Sequence, residues 1–221
     1  MTLQRHAVAF ETLPPETLEA WRKIAPAIVS DCMNRTHFMA AAIKPVRPGT
    51  LLVGQARTVT SMVGDNGISH AATPLMEAGQ VMVIDAKGYD GVAVWGGVAT
   101  RAAMARGLAG VVIDGAVRDV AEIRGLGFPC FARAVVPSGP HKGFGGIIDG
   151  PISCAGCPVK PGDLVIGDDD GVAVVPLEWA QDMLKASQEK LKQEEDWLAA
   201  IADGRSMAEV IGLPEPDLIG G

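Results

Sequence analysis

Two ten-residue stretches of this chain align position for position, and this repeat limits the possible folds more than any other feature. The first stretch is Gly91–Thr100, GVAVWGGVAT, and the second is Gly110–Asp119, GVVIDGAVRD. Each predicts a strand, a Gly turn and a helix start, a pattern typical of βα units with parallel strands. If the two strands are neighbours, both turns lie at the same edge of the sheet, where open α/β folds bind ligands.

The remaining sequence predicts a mixed α/β fold. A helix is predicted over Pro15–Met33, β-structure over Leu51–Val63, and a hairpin around an acidic Gly turn over Gly162–Pro176. A long polar helix is expected after Pro176, followed by an extended tail over residues 205–221. No shift in composition marks a second domain, so we predict a single domain spanning residues 1–221.

Charge and hydropathy exclude several classes of function. The 221 residues carry a formal net charge of −7, which disfavours nucleic acid as a partner because phosphate binding needs clustered Lys and Arg. Neither a long unbroken apolar stretch nor a signal-like start is present, so we expect a cytoplasmic protein without membrane contact. The same negative charge repels acidic small molecules, and a site for one therefore needs local cations.

The four cysteines are expected to be free thiols. Cys154 and Cys157 have the CxxC spacing of some zinc and dithiol sites, but no second CxxC or paired histidine follows them. Cys32 and Cys130 stand alone, and nothing else in the sequence suggests secretion. A functional role for the CxxC pair is therefore disfavoured.

The turns of the two repeated stretches predict a pocket for a small carboxylate. Glycines at a helix start allow a ligand to approach unpaired backbone amides, which favour anions. The second turn supplies an arginine, whose planar fork suits a carboxylate, and an aspartate, a hard oxygen ligand for Mg²⁺ or Mn²⁺. An ordinary helix cap beside a solvated charge would give the same pattern. The candidate residues are Gly96, Gly97, Val98, Ala99, Arg118 and Asp119.

At these residues the chain resembles the family that includes 4-hydroxy-4-methyl-2-oxoglutarate/4-carboxy-4-hydroxy-2-oxoadipate aldolases and the regulator of ribonuclease activity A. The resemblance covers most of the chain and is most specific over Gly110–Val120. Further matches are Gly64–Asn66, Gly125–Pro129 and Pro161–Val172. It implies a single-domain, β/β/α layered fold of the swivelling-domain kind with a C-terminal helix. It also implies a homotrimer or a dimer of trimers, with sites between subunits.

The resemblance implies a role for each candidate residue. Asp119 matches the aspartate that holds the divalent metal in the aldolases, and Arg118 matches the arginine that binds the pyruvyl part of the substrate. The turn Gly96–Ala99 matches the loop whose backbone contacts that substrate. Characterised aldolases carry an acidic residue where this chain has Gly97, which is a departure from their pattern. Glu194 is a candidate for the acidic residue that a neighbouring subunit contributes.

These residues predict a metal-dependent lyase acting on small 2-oxo acids, of the class II aldolase type. Aldol cleavage and oxaloacetate decarboxylation both pass through the enolate of pyruvate, so the metal on Asp119 and the charge of Arg118 would serve both reactions. Because Gly97 cannot act as acid or base, decarboxylation is expected to survive better than aldol cleavage.

Two alternatives remain open at this point. A Schiff-base aldolase would use Lys87, which follows a predicted strand, although a solvated loop lysine is the simpler interpretation. A non-catalytic trimeric binding protein, similar to the regulator of ribonuclease activity A, would use the same scaffold without its chemistry. Elsewhere, Asp168–Asp170 suits a hairpin turn better than a metal loop, Gly139–Gly146 predicts a surface or lid loop, and His70 could line the pocket.

Overall fold

The computed structural model describes residues 2–219, which form a ten-stranded mixed sheet, a separate two-stranded sheet and helices. The strands are β1 (Thr2–Arg5), β2 (Lys44–Pro45), β3 (Leu52–Ser61), β4 (Val81–Asp85), β5 (Ala93–Trp95), β6 (Gly110–Val117), β7 (Cys130–Val135), β8 (Gly145–Ile148), β9 (Ile152–Cys154), β10 (Cys157–Val159), β11 (Leu164–Asp168) and β12 (Gly171–Val175). The helices are α1 (Pro15–Trp21), α2 (Pro26–Cys32), α3 (Gly67–Ala72), α4 (Gly97–Ala105), α5 (Val120–Leu126), α6 (Ala180–Ala202) and α7 (Met207–Ile211). Short 3-10 turns cover Thr73–Leu75 and Leu177–Trp179.

The centre of the sheet is parallel, as the βα pattern predicts. Strands β3, β4, β6 and β7 lie side by side in that order, and every neighbouring pair in this group is parallel. Apolar residues occupy both faces of these strands, and all eight residues of β6 are buried. Near-continuous burial is expected where both faces of a parallel sheet are covered.

Three apolar clusters define the layers. Helices α3, α4 and α5 cover one face of the sheet, where Trp95, Ile113 and Ile123 are buried. The opposite face is covered by the β9–β10 and β11–β12 hairpins, around Val112 and Phe131. A third cluster packs α1, α2 and α6 against the outside of β11 and β12. This arrangement agrees with the predicted β/β/α layering and C-terminal helix.

Three sequence predictions are corrected by the structure. The helix predicted over Pro15–Met33 is two helices, because Pro26 has no N–H for the helical ladder and instead begins α2. Gly115 does not form a turn but lies inside β6, where a Cβ would lie 2.8 Å from the Cβ of Ala86. The segment predicted to be extended from residue 205 contains α7, which begins with a capping box between Ser206 and Glu209.

Other sequence features have the expected local structure. Asp169 and Asp170 form the turn of the β11–β12 hairpin, and Asp168 is the last residue of β11. The four cysteines are free, and Cys154 and Cys157 face each other across the β9–β10 hairpin. Burial raises the pKa of the Cys157 thiol to about 12 and that of Cys154 well above its ordinary value, so both are poor nucleophiles. Within residues 2–219, no helix has the length and apolar composition needed to span a bilayer.

Candidate active site

The two repeated stretches meet at one edge of the sheet. Strand β5 pairs in parallel with the end of β6, and Trp95 lies opposite Val117. The backbone N–H of Arg118 donates to the carbonyl of Trp95 at 2.9 Å. The turn Gly96-Gly97 and the dipeptide Arg118-Asp119 therefore leave the sheet side by side, as the aligned sequences predict.

The Asp119 carboxylate is held against the start of α4. Asp119 has φ 59° and ψ 33°, a left-handed conformation that costs free energy outside glycine and is frequent at functional sites. Its Oδ2 accepts a hydrogen bond from the Gly97 N–H at 3.0 Å and lies 3.6 Å from Nε of Arg118. In residues 2–219, Oδ1 accepts no hydrogen bond, so it remains available to a cation.

These groups line a cavity of about 270 Å³ at the edge of the sheet. The cavity has the volume of a small organic acid with its hydration water. It is lined by Asn66, His70, Trp95, Gly96, Val98, Ala99, Arg118, Asp119, Pro140 and Lys142. The predicted residues are thus brought together, except that Gly97 is buried and does not itself line the cavity.

Arg118 reaches the cavity along two glycines. A Cβ on Gly139 would lie 2.5 Å from a terminal guanidinium nitrogen of Arg118, and a Cβ on Gly96 would lie 3.1 Å from its Cγ. The side chain keeps 43 % of its surface exposed, and Asp119 is its one carboxylate neighbour within 4 Å among the described residues. The guanidinium can therefore still form a two-pronged contact with a carboxylate ligand.

Lys142 brings a second cation to the cavity, and a buried aspartate fixes the loop that carries it. Asp65 is fully buried, and its carboxylate accepts hydrogen bonds from the N–H groups of Gly143 at 2.6 Å and Phe144 at 3.1 Å. Its other oxygen accepts from Gly67 at 2.8 Å. Asp65 therefore connects the predicted loop, Gly139–Gly146, to the start of α3.

Asn66 and His70 form a polar pair beside the Lys142 loop, where the Asn66 N–H donates to the carbonyl of His141 at 3.1 Å. The Asn66 amide nitrogen lies 3.1 Å from Nε2 of His70, while its buried Oδ1 has no hydrogen-bond partner within the described chain. Burial, with a smaller contribution from the charge of Lys142, lowers the pKa of His70. His70 is therefore neutral near pH 7, and the unpaired amide oxygen calls for a donor from a ligand or water.

The other candidates lie outside this cavity. Lys87 pairs with Asp85 beyond the end of β4 and does not line the pocket, which weakens the Schiff-base alternative. Glu194 is on α6, 3.9 Å from Lys190, and its assignment to a neighbouring site stays a prediction. Sequence reasoning missed Lys142 because its Gly-rich loop has no local signal for a binding site.

The open carboxylate oxygen of Asp119 suits a hydrated divalent cation. No group of three or more His, Cys, Asp or Glu side chains with metal-binding geometry occurs in residues 2–219. That excludes a closed zinc-type site in this part of the chain. Mg²⁺, in contrast, commonly binds through one or two carboxylates, substrate oxygens and several waters. The open Oδ1 of Asp119 at the cavity wall fits this second type.

Comparisons with known proteins converge on one family. Residues 26–174 match the model of the RraA-like family, described as Aldolase/RraA. A Halalkalibacterium halodurans protein, provisionally named a 4-hydroxy-4-methyl-2-oxoglutarate aldolase, is 37% identical over 183 residues, covering 83% of this chain and 87% of the relative.

Solved structures show the same fold. A protein of Pseudomonas syringae pv. tomato aligns with a TM-score of 0.79 and 24% identity over 91% of this chain and 99% of that one. Streptomyces coelicolor RraAS2, described as an unusual member of the RNase ES inhibitor RraA protein family, aligns with a TM-score of 0.75. Its identity is 26%, over 82% of this chain and 96% of its own.

Proposed function

This chain belongs to the RraA-like family, and from that membership we propose that it is a divalent-metal-dependent carbon–carbon lyase of 2-oxo acids. The proposed reactions are aldol cleavage of substrates such as 4-hydroxy-4-methyl-2-oxoglutarate and decarboxylation of oxaloacetate. Both release pyruvate through its enolate. The name of the Halalkalibacterium relative supports the aldolase assignment.

One observation carries the proposal: Arg118, Asp119 and Lys142 line a single small cavity in an otherwise acidic protein. Two cations around one carboxylate are a suitable environment for a dianionic acid together with a divalent metal ion. Asn66 and His70 add a polar pair to the wall of the same cavity. An ordinary helix cap beside a solvated charge does not account for these additional groups.

In the proposed mechanism, different residues bind the two ends of the substrate. Arg118 binds the carboxylate next to the 2-oxo group and stabilises the charge that develops as the enolate forms. Asp119 would hold the divalent cation, which would supply Lewis acidity for the 2-oxo oxygen. Val98 and Ala99, at the start of α4, line the same cavity, and unpaired amides at a helix start favour negative charge.

Lys142 suits the far end of the substrate. It lies in the loop fixed by Asp65 and lines the cavity together with Asn66 and His70. A distal carboxylate in this region would pair with the Lys142 ammonium, while neutral His70 adds no competing charge. We assign specificity for four- to six-carbon dicarboxylic 2-oxo acids to this part of the pocket.

A metal-dependent turnover assay tests the proposal. The protein should release pyruvate from oxaloacetate and from 4-hydroxy-4-methyl-2-oxoglutarate with added Mg²⁺ or Mn²⁺, and lose this activity with a chelator. Asp119→Ala should abolish Mn²⁺ binding, measured by electron paramagnetic resonance, and turnover with it. Asp90→Asn, an exposed substitution outside the cavity, is the matched control.

Inactivity towards every 2-oxo acid with each metal would contradict the lyase proposal and favour the alternative, a non-catalytic trimeric binding protein. The likeness to Streptomyces RraAS2 supports that alternative, because that protein is named as a member of an RNase inhibitor family. Asp119 supports the lyase, since its open oxygen and left-handed backbone are features that a binding scaffold does not need.

A further inference from the structure

The space beside Gly97 is filled by another side chain. A Cβ on Gly97 would lie 2.5 Å from Cδ and 2.9 Å from Oε1 of Glu122, and closer still to Oε2. Any residue other than glycine at position 97 would therefore displace this carboxylate. Gly97 thus does more than expose the backbone. Because it has no side chain, the Glu122 carboxylate can lie against it.

Glu122 and Asp119 approach the same turn from one helix. Asp119 is the N-cap of α5 and Glu122 is the third residue of that helix. Asp119 Oδ2 accepts from the Gly97 N–H and would lie 2.6 Å from a Cβ on Gly96. The two glycines of the turn are therefore flanked by two carboxylates, one against each residue.

One oxygen of Glu122 is fixed and the other is open. Nε of Arg101 donates to Oε1 of Glu122 at 2.7 Å, which orients the carboxylate across the start of α4. In the chain from residue 2 to 219, Oε2 accepts no hydrogen bond. The Glu122 side chain keeps 39% of its surface exposed, so water has access to it.

We propose that Glu122, which does not itself line the cavity, is the proton-transferring group of this site and acts first as a base, through a water molecule held between its Oε2 and the Asp119 carboxylate. The inference rests on the proposed lyase function. In aldol cleavage the water takes the proton of the C4 hydroxyl and passes it to Glu122 as the C3–C4 bond breaks. The bond electrons form the enolate of pyruvate, and the same proton returns to C3 to give the methyl group.

The two proposed reactions depend differently on this group. Aldol cleavage requires removal of the hydroxyl proton, whereas decarboxylation of oxaloacetate breaks its bond without a base and needs a proton only afterwards. Loss of Glu122 should therefore reduce aldol cleavage far more than decarboxylation. Binding of oxalate, an analogue of the enolate, should not depend on Glu122, because Arg118 and the metal side of the pocket remain.

Glu122→Gln tests the inference. The kcat for 4-hydroxy-4-methyl-2-oxoglutarate should fall by about 10²–10⁴, the usual contribution of a general base, with a much smaller fall for oxaloacetate. Oxalate affinity by titration calorimetry and Mn²⁺ affinity by electron paramagnetic resonance should match those of the wild type. Glu195→Gln, on the exposed side of α6, is the matched control.

A second pair of variants tests whether a carboxylate is needed in the space beside Gly97. Gly97→Glu combined with Glu122→Ala should recover part of the lost cleavage, since it returns a carboxylate to the same place from the other helix. Gly97→Ala alone should reduce cleavage by displacing Glu122.

Near-normal aldol cleavage in Glu122→Gln would overturn the inference. Equal losses in both reactions together with lost oxalate binding would also overturn it, because Glu122 would then be holding the site together. A wild-type protein that decarboxylates oxaloacetate but cleaves no hydroxy acid would remove the role of Glu122 and leave the lyase proposal standing.

Discussion

At the scale of residues, the site depends on side chains whose ordinary behaviour is changed by their neighbours. Asp119 adopts a left-handed backbone, and Gly97 provides space for the Glu122 carboxylate. The resemblance marks Gly97 as a position where an acid is missing. The structure shows that an acid from α5 lies against it, although the sequence spacing gives no sign of that contact.

His70 should make stability depend on pH. Its pKa is lowered from 6.5 by burial and by Lys142, so between the lowered pKa and 6.5 the unfolded chain binds more protons than the folded protein. Stability therefore falls as the pH decreases through that range and is fully present above it. In His70→Gln, which can still bond to Asn66, this decline should be absent.

Urea unfolding of both proteins between about pH 8 and about pH 5 measures the effect. The free energy of unfolding of the wild type should fall relative to that of His70→Gln at the acidic end. Parallel curves across the whole range would contradict the role given to His70.

Lys142→Met should weaken binding of substrates with a distal carboxylate. A charge-assisted hydrogen bond is worth about 1.5–3 kcal/mol, so KM for 4-hydroxy-4-methyl-2-oxoglutarate should rise by roughly tenfold or more. Pyruvate and oxalate, which lack that group, should bind as to the wild type. Lys185→Met on the exposed side of α6 is the control. An equal loss of pyruvate binding would show that Lys142 acts on the whole pocket.

At the scale of elements, the close packing of strands and helices decides where glycine is required. Gly115 and Gly125 both lie in regular structure, yet their surroundings differ. Gly115 faces Ala86 across neighbouring strand ends, whereas a Cβ on Gly125 in α5 would meet nothing within 4 Å. The sequence motif predicts a turn at Gly115, but the need for glycine there arises from packing within the sheet.

Gly115→Ala should lower the free energy of unfolding by about 1–3 kcal/mol, the usual cost of overpacking a buried position. Gly125→Ala should instead raise it by about 0.5–1 kcal/mol, because alanine is favoured over glycine inside a helix. Chemical denaturation of the two variants gives both values. A stable Gly115→Ala protein would mean that β4 and β6 can separate locally without cost.

At the scale of the whole molecule, the long helix α6 packs on the body through its first half and leaves apolar side chains exposed near its end. Its first half packs on α2, whereas Leu198 and Ile201 near its end are 66% and 42% exposed. Exposed apolar residues on such a helix suit contact with another subunit. The homotrimer, or dimer of trimers, that the family resemblance implies stays a prediction.

Native mass spectrometry should therefore detect three or six copies of the chain, and a monomer at micromolar concentration would contradict this expectation. If Glu194 completes a neighbour's site, Asp119→Ala and Glu194→Gln chains should both be inactive alone. Mixed and reassembled, they should regain part of the activity, because some sites then combine intact groups from two chains. Absence of recovery in verified mixed trimers would remove Glu194 from the site.

The sequence alone determined the local alternation of strand and helix, and with it the parallel centre of the sheet. It also determined the nearness of Gly96-Gly97 to Arg118-Asp119, because two aligned βα units on adjacent strands must end at one edge. These features depend on short-range periodicity and on residue type, which a single sequence carries.

The sequence marked His70 as a candidate for the pocket lining, but only the tertiary structure decided how distant segments complete the pocket. Asn66 and His70 belong to the region of α3, and Lys142 to the loop before β8, joined through hydrogen bonds to Asp65 across 78 residues or more. Such contacts depend on strand order and on the packing of buried polar groups, neither of which leaves a local pattern. The pairing of Arg118 with Asp119 at this edge was therefore predictable. The second cation of the pocket, Lys142, and the Glu122 carboxylate beside Gly97 were not.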